Sequence, residues 1–82
     1  MANGGAAIPL NLLHTGERGK IAQLTGGQEL RNRMLALGLT PGAEVTVLQN
    51  YGRGPMLVRV RDVRVALGRG EAANVLVQRG EG

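Results

Sequence analysis

Two short alternating segments, Val58-Arg59-Val60 and Val63-Arg64-Val65, are separated by only Arg61-Asp62. No other feature restricts the fold of this chain as strongly. Read as a two-residue hairpin loop, Arg61-Asp62 places Val60 opposite Val63 and Val58 opposite Val65. Every valine then lies on one face and Arg59 and Arg64 on the other, because a period of two makes register that strict. The dipeptide lacks the glycine usual in such loops, so the turn type stays open. Glu44-Val45-Thr46-Val47 alternates in the same way, and Val75-Leu76-Val77 reads as a final strand. Gly52-Arg53-Gly54 marks a tight connection, and Gly68–Asn74 has room for one helical turn at most.

Ahead of Glu44 the period is helical. Leu30, Met34 and Leu37 recur at i, i+4 and i+7, which is one face of a helix. Thr25 followed by Gln28 matches a capping box, in which each side chain reaches the other's free backbone N–H. Glu29 sits in the first turn, where the helix dipole favours a carboxylate. Gly38 follows the last stripe residue, as expected of a left-handed C′ position, and Pro41 blocks a restart. These signals predict a helix from about Gly26 to Leu37. Leu35 falls off the apolar stripe, beside Arg31 and Asn32.

Further upstream, Pro9–Leu13 is a short apolar segment, Gly16-Glu17-Arg18-Gly19 reads as a turn, and Lys20–Leu24 as a short strand. Five short strands and one helix in an 82-residue chain are too few for a sandwich with two filled inner faces. They can curl into a small barrel, which also removes sheet edges. The expected fold class is therefore mainly β, with one or two short helices and a barrel of about five strands. Its folded unit spans residues 8–78, with residues 1–7 and 79–82 as flexible tails. The core must be aliphatic, since Phe and Trp are absent and Tyr51 is the single Tyr.

Composition narrows the chemistry. Without Cys or Ser there is no thiolate site, disulfide or serine nucleophile. The six acids are scattered, and the glycine-rich stretches do not fit a phosphate-binding fingerprint. No apolar run spans a membrane, and the start of the chain lacks the pattern of a secretory signal. His14 stands alone, and a metal ion on it needs ligands from elsewhere. Nine Arg and one Lys against six acids give a net charge of +4. Arg59, Arg61 and Arg64 would form a basic face. A solvated surface is the plain account of that face, and a grip on phosphate or acidic side chains is the functional one. Arg31 and the off-stripe Leu35 form a second candidate contact.

Arg33-Met34-Leu35-Ala36-Leu37-Gly38-Leu39-Thr40-Pro41-Gly42 resembles the R-L-x-x-L-G-L-x-P-G segment of the FeoA family, with Met34 in place of the usual Leu. Leu10-Asn11-Leu12-Leu13 with Gly16 and Gly19-Lys20-Ile21 is similar to the family's start. Val63-Arg64-Val65-Ala66-Leu67 and Glu71–Val77 are similar to its later strands. The chain also resembles, more distantly, the SH3-like C-terminal domain of iron-dependent repressors. The resemblance covers Ile8 to Gln78 and implies a small SH3-like barrel. In it Arg33, Met34, Leu37, Gly38, Leu39, Pro41 and Gly42 form a structural motif: Met34 and Leu37 dock the helix, Gly38 ends it, Leu39 plugs the corner and Pro41-Gly42 turns the chain.

For function, the resemblance implies a non-catalytic accessory protein of bacterial ferrous iron uptake. Its expected partner is FeoB, a membrane transporter with a cytosolic GTP-binding domain. The expected location is the cytoplasm, at the inner membrane face through that partner. Arg31, Leu35, Arg59, Arg61 and Arg64 are the candidate partner-binding residues. No cofactor is required, and a transition metal ion and a homo-oligomer stay open without assigned residues. The alternative reading is a small basic barrel that binds nucleic-acid phosphates, although only Tyr51 offers a stacking platform.

Overall fold

The computed structural model describes residues 6–80. Among the described residues six antiparallel strands form one sheet: β1 (Ile8–Pro9), β2 (Arg18–Leu24), β3 (Glu44–Gln49), β4 (Met56–Val60), β5 (Val63–Leu67) and β6 (Val75–Arg79). Their order across the sheet is β1-β6-β2-β3-β4-β5. Two helices accompany it, α1 (Gln28–Ala36) and the single turn α2 (Arg69–Ala72).

The hairpin has the register that the alternation predicts: Val60 opposite Val63, Arg59 opposite Arg64 and Val58 opposite Val65. Arg61 and Asp62 both have positive φ, 50° and 65°. That is a type I′ turn, whose twist matches the strands it joins. Arg61 holds its place by donating from Nη2 to Thr40 Oγ1 at 2.7 Å. Asp62 makes no such bond among the described residues, so Asp62→Gly is expected to relieve left-handed strain and raise stability by about 0.5 kcal/mol. A thermal melt should show a rise of roughly 2–4 °C.

Ile21 of β2 and the inward valines, Met56 and Leu67 of β3 to β6 form one buried cluster with Met34, Leu39, Leu10 and Leu13. One sheet therefore wraps a single aliphatic core. Register shifts between Ile21 and Gln23 and between Val47 and Gln49 bend it, as bulges do. Among the described residues the hydrogen-bond ladder does not close, because β1 and β5 remain edges. The expected removal of edges is thus incomplete. Among the described residues the strand count rises to six because Ile8-Pro9 pairs with β6 as the two-residue β1, while the apolar segment after it makes a 3-10 turn at Leu10–Leu12.

Helix α1 ends as its sequence predicts. Gly38 has φ +94° and its N–H donates to the Leu35 carbonyl at 3.0 Å, while the Leu39 N–H reaches the Met34 carbonyl at 3.0 Å. This is a Schellman motif, with Met34 and Leu39 as its buried apolar pair. Pro41-Gly42 makes the next turn, with Gly42 at φ +93° and the Ala43 N–H on the Thr40 carbonyl at 3.0 Å. Leu37 differs from its expected docking role, being the C-cap and 37% exposed.

The start of the helix differs too. Gly27 is the N-cap, with no side-chain cap bond. Thr25 instead continues the β2–β6 pairing: its N–H donates to the Asn74 carbonyl at 2.8 Å and its hydroxyl to Asn74 Oδ1 at 2.9 Å. The predicted Gly16–Gly19 turn is shorter than expected, since β2 begins at Arg18. At the other end Arg79 belongs to β6, and the Gly80 N–H donates to the Arg18 carbonyl at 2.7 Å. Arg79 and Gly80 of the predicted tail at 79–82 are thus tied to the sheet; residues 1–5 and 81–82 of the two predicted tails lie outside the described range.

Candidate functional site

Strand alternation pushes the polar residues of β2 to β5 outward, and pairing aligns them. Arg18 faces Thr46, Thr46 faces Arg59, and Arg59 faces Arg64. The result is one row across four strands, with its three arginines exposed. Directly opposed like charges such as Arg59 and Arg64 disfavour folding. Among the described residues neither has a carboxylate within 4 Å. Arg18 has one weak partner, Glu44, at 3.7 Å, and Arg79 stands 3.4 Å from Glu17. Arg18, Arg59, Arg79 and Thr46 border a half-open cavity of about 580 Å³.

Glu17 is the acid at the rim of that cavity. The His14 backbone N–H donates to its Oε1 at 2.7 Å and the His14 ring lies 3.2 Å away. That backbone bond holds the Glu17 carboxyl below its ordinary range, opposed by partial burial and assisted by Arg79. His14 is thus engaged with Glu17. Among the described residues no group of three or more His, Asp or Glu side chains is placed to hold a metal ion.

A second feature lies between the end of α1 and the edge strand β5. Arg33, Leu37, Val63 and Arg64 line a cleft of about 460 Å³ there. Val63 points to the core side of its hairpin, as predicted, but sits beyond the core and is 55% exposed. Arg33 is held in place by Glu71, Nη1 to Oε2 at 2.8 Å, and Glu71 also accepts the Gly68 N–H at 3.0 Å.

The structure brings only part of the predicted contact set together. Arg59 and Arg64 are neighbours in the row. Arg61 is adjacent in the turn, but its guanidinium is bonded to Thr40 and its stem lies over Gly38. Arg31 folds back onto the Gly26 carbonyl at the start of its own helix. Leu35 is 43% exposed, as predicted. It stands two residues from Leu37, about 200° around the helix, so it faces away from the β5 cleft. Arg18, Arg79, Leu37 and Val63 carry no sequence signal that marks them as surface candidates. Pairing between distant strands, which no local pattern reveals, puts them in place.

Two further polar residues without a sequence signal knit the loops. Asn50 donates from Nδ2 to the Leu13 carbonyl at 2.6 Å and accepts from Arg69 Nη1 at 2.9 Å. Arg69 Nη2 also reaches the Asn11 carbonyl at 3.1 Å. This network ties the N-terminal segment, the β3–β4 loop and α2 together. Among the described residues no helix is long and apolar enough to cross a membrane.

Residues 8–79 match the FeoA domain family. The chain is 36% identical over 70 residues to an Fe(2+) transport protein A/Fe(2+) transporter FeoB fusion protein of Porphyromonas gingivalis, covering 84% of this chain and 8% of the fusion protein. A crystal structure of the iron uptake regulatory protein FeoA is 35% identical, with a TM-score of 0.86, over 90% of this chain and 99% of that one. The zinc complex of Stenotrophomonas maltophilia FeoA, described as a procaryotic SH3 domain protein, is 28% identical with a TM-score of 0.71, over 84% and 87% of the two chains. At the level of fold alone, a manganese-dependent transcriptional repressor superposes with a TM-score of 0.83 at 18% identity, over 98% of this chain and 45% of that one. The fold is an SH3-like barrel, and the chain belongs to the FeoA family.

Proposed function

We propose that this protein is a non-catalytic accessory factor of ferrous iron uptake that acts by binding a FeoB-like membrane transporter. One observation carries the reading: in the Porphyromonas gingivalis relative, an Fe(2+) transport protein A unit and an Fe(2+) transporter FeoB share one chain. The covalent link keeps the two at high effective concentration, an arrangement expected of units that touch. A separate chain needs a surface for the same contact. The cleft beside β5 supplies exposed Leu37 and Val63 at an open sheet edge, flanked by Arg64, where a partner segment can pair and bury apolar side chains. Binding there recruits the protein to the inner membrane face.

The test is an affinity measurement against a FeoB-like transporter from the same organism, purified in neutral detergent. Val63→Asp is expected to weaken binding roughly tenfold or more, because it places an unpaired charge in the contact. Leu35→Asp, on the opposite side of α1, is expected to change it by less than about twofold. Equal affinities for wild type and Val63→Asp would remove this surface from the reading. No binding by the wild type would remove the reading itself.

A further inference from the structure

The arginine row is not absorbed by the β5 cleft. We propose that the outer face of β2, β3 and β4 at Arg18 and Arg59, together with Arg79 at the end of β6 on the rim of the same cavity, docks on an anionic lipid surface. The half-open cavity would receive one phosphate headgroup. This inference rests on the proposed function only in that it sets the protein beside a membrane; its chemistry stands on the charges.

Three observations favour a bilayer over other anions. First, the charges run across the strands on the outer side of a curled sheet. Arg18 to Arg64 spans three strand spacings, about 14 Å. A bound peptide would instead follow a strand edge or groove. Second, guanidinium groups grip phosphate in a bidentate manner, and Arg59, at the middle of the row, has no carboxylate within 4 Å among the described residues. Thr46 adds a hydroxyl within the same cavity lining. Third, aromatic stacking is absent from the lining, which argues against single-stranded nucleic acid. The acids on this side are Glu17, paired with Arg79, Glu44, beside Arg18, and Asp62 in the hairpin turn. Basic residues still exceed them. Arg18, Arg59, Arg61, Arg64 and Arg79 outnumber these three acids by two, and an excess of that size beside an anionic leaflet gives weak, reversible docking.

The experiment is co-sedimentation of the full chain with vesicles. Phosphatidylglycerol-containing vesicles are expected to bind it roughly tenfold more than pure phosphatidylcholine, with binding lost at high salt. Arg18→Gln/Arg59→Glu should lose at least about fivefold while keeping its thermal melt, and Arg59→Gln alone should lose part of the binding. Millimolar inorganic phosphate should not displace the protein, which separates a lipid surface from a free anion site. Equal binding to neutral vesicles, or wild-type binding by the double variant, would overturn the proposal. Tighter binding to polyglutamate or to DNA than to vesicles would overturn it too and name the other partner. Transporter affinity in neutral detergent contains no anionic lipid, so failure here is distinct from failure of the proposed function.

Discussion

Gly19→Val is expected to destabilise the domain by about 3 kcal/mol, enough to shift its melt by roughly 10–20 °C. Gly19 lies in β2, where a Cβ would stand 2.7 Å from the Gln78 carbonyl oxygen and 3.3 Å from the Val77 Cβ. Both belong to β6, and the nearer atom is backbone, so relief requires the two strands to part. That pairing joins β6 and β1 to the rest of the sheet, with Ile21 opposite Val77 and Leu24 opposite Val75. A domain of this size has a total stability on the order of 4–12 kcal/mol, so the variant consumes much of it. Gly16→Ala is the matched control. Gly16 has φ +92°, and a methyl group added there would meet nothing within 4 Å, so its cost is conformational only, about 1–2 kcal/mol. Chemical denaturation of the pair checks the point: a Gly19→Val no worse than Gly16→Ala would contradict the close approach of β2 and β6.

Leu39→Ala is expected to cost about 3–4 kcal/mol. Leu39 is wholly buried, and it is the C″ residue of the Schellman motif that ends α1. Its loss leaves a cavity against Met34 and unpins the helix from the sheet. Leu35→Ala, four residues earlier, removes a 43% exposed side chain and should change stability by less than about 0.5 kcal/mol. The contrast, read by urea denaturation, separates the packing residue of the motif from its surface residue. Similar losses at the two positions would mean that Leu35 packs in a way its exposure does not show.

How far the sequence reaches can be judged from these same residues. Gly38, Leu39 and Pro41-Gly42 are legible because a helix end is decided by neighbours within one turn. Arg59 opposite Arg64 is legible because a two-residue loop leaves one register that keeps Val58, Val60 and Val65 inside. Thr25 misleads, since a capping box and a strand end share the same residue types; its hydroxyl goes to Asn74, a partner 49 positions away. Gly19 reads as part of a turn because glycine marks both turns and close backbone approaches, and only the neighbouring strand distinguishes them. The basic set is partly legible: Arg59 and Arg64 alternate visibly, while Arg18 and Arg79 enter through strands distant in sequence. Period alone turns Leu37 and Val63 inward, and the finite length of the core leaves both partly exposed.

The aliphatic core, the hairpin register and the helix stop are thus dictated locally, because each follows from periods and φ preferences acting over a few residues. Tertiary packing places β6 between β1 and β2, aligns Arg18, Thr46, Arg59 and Arg64 in one row, and opens a cleft between the end of α1 and β5. Those juxtapositions depend on how a bent sheet wraps its core, and burial of the whole apolar set, rather than any local preference, selects that path.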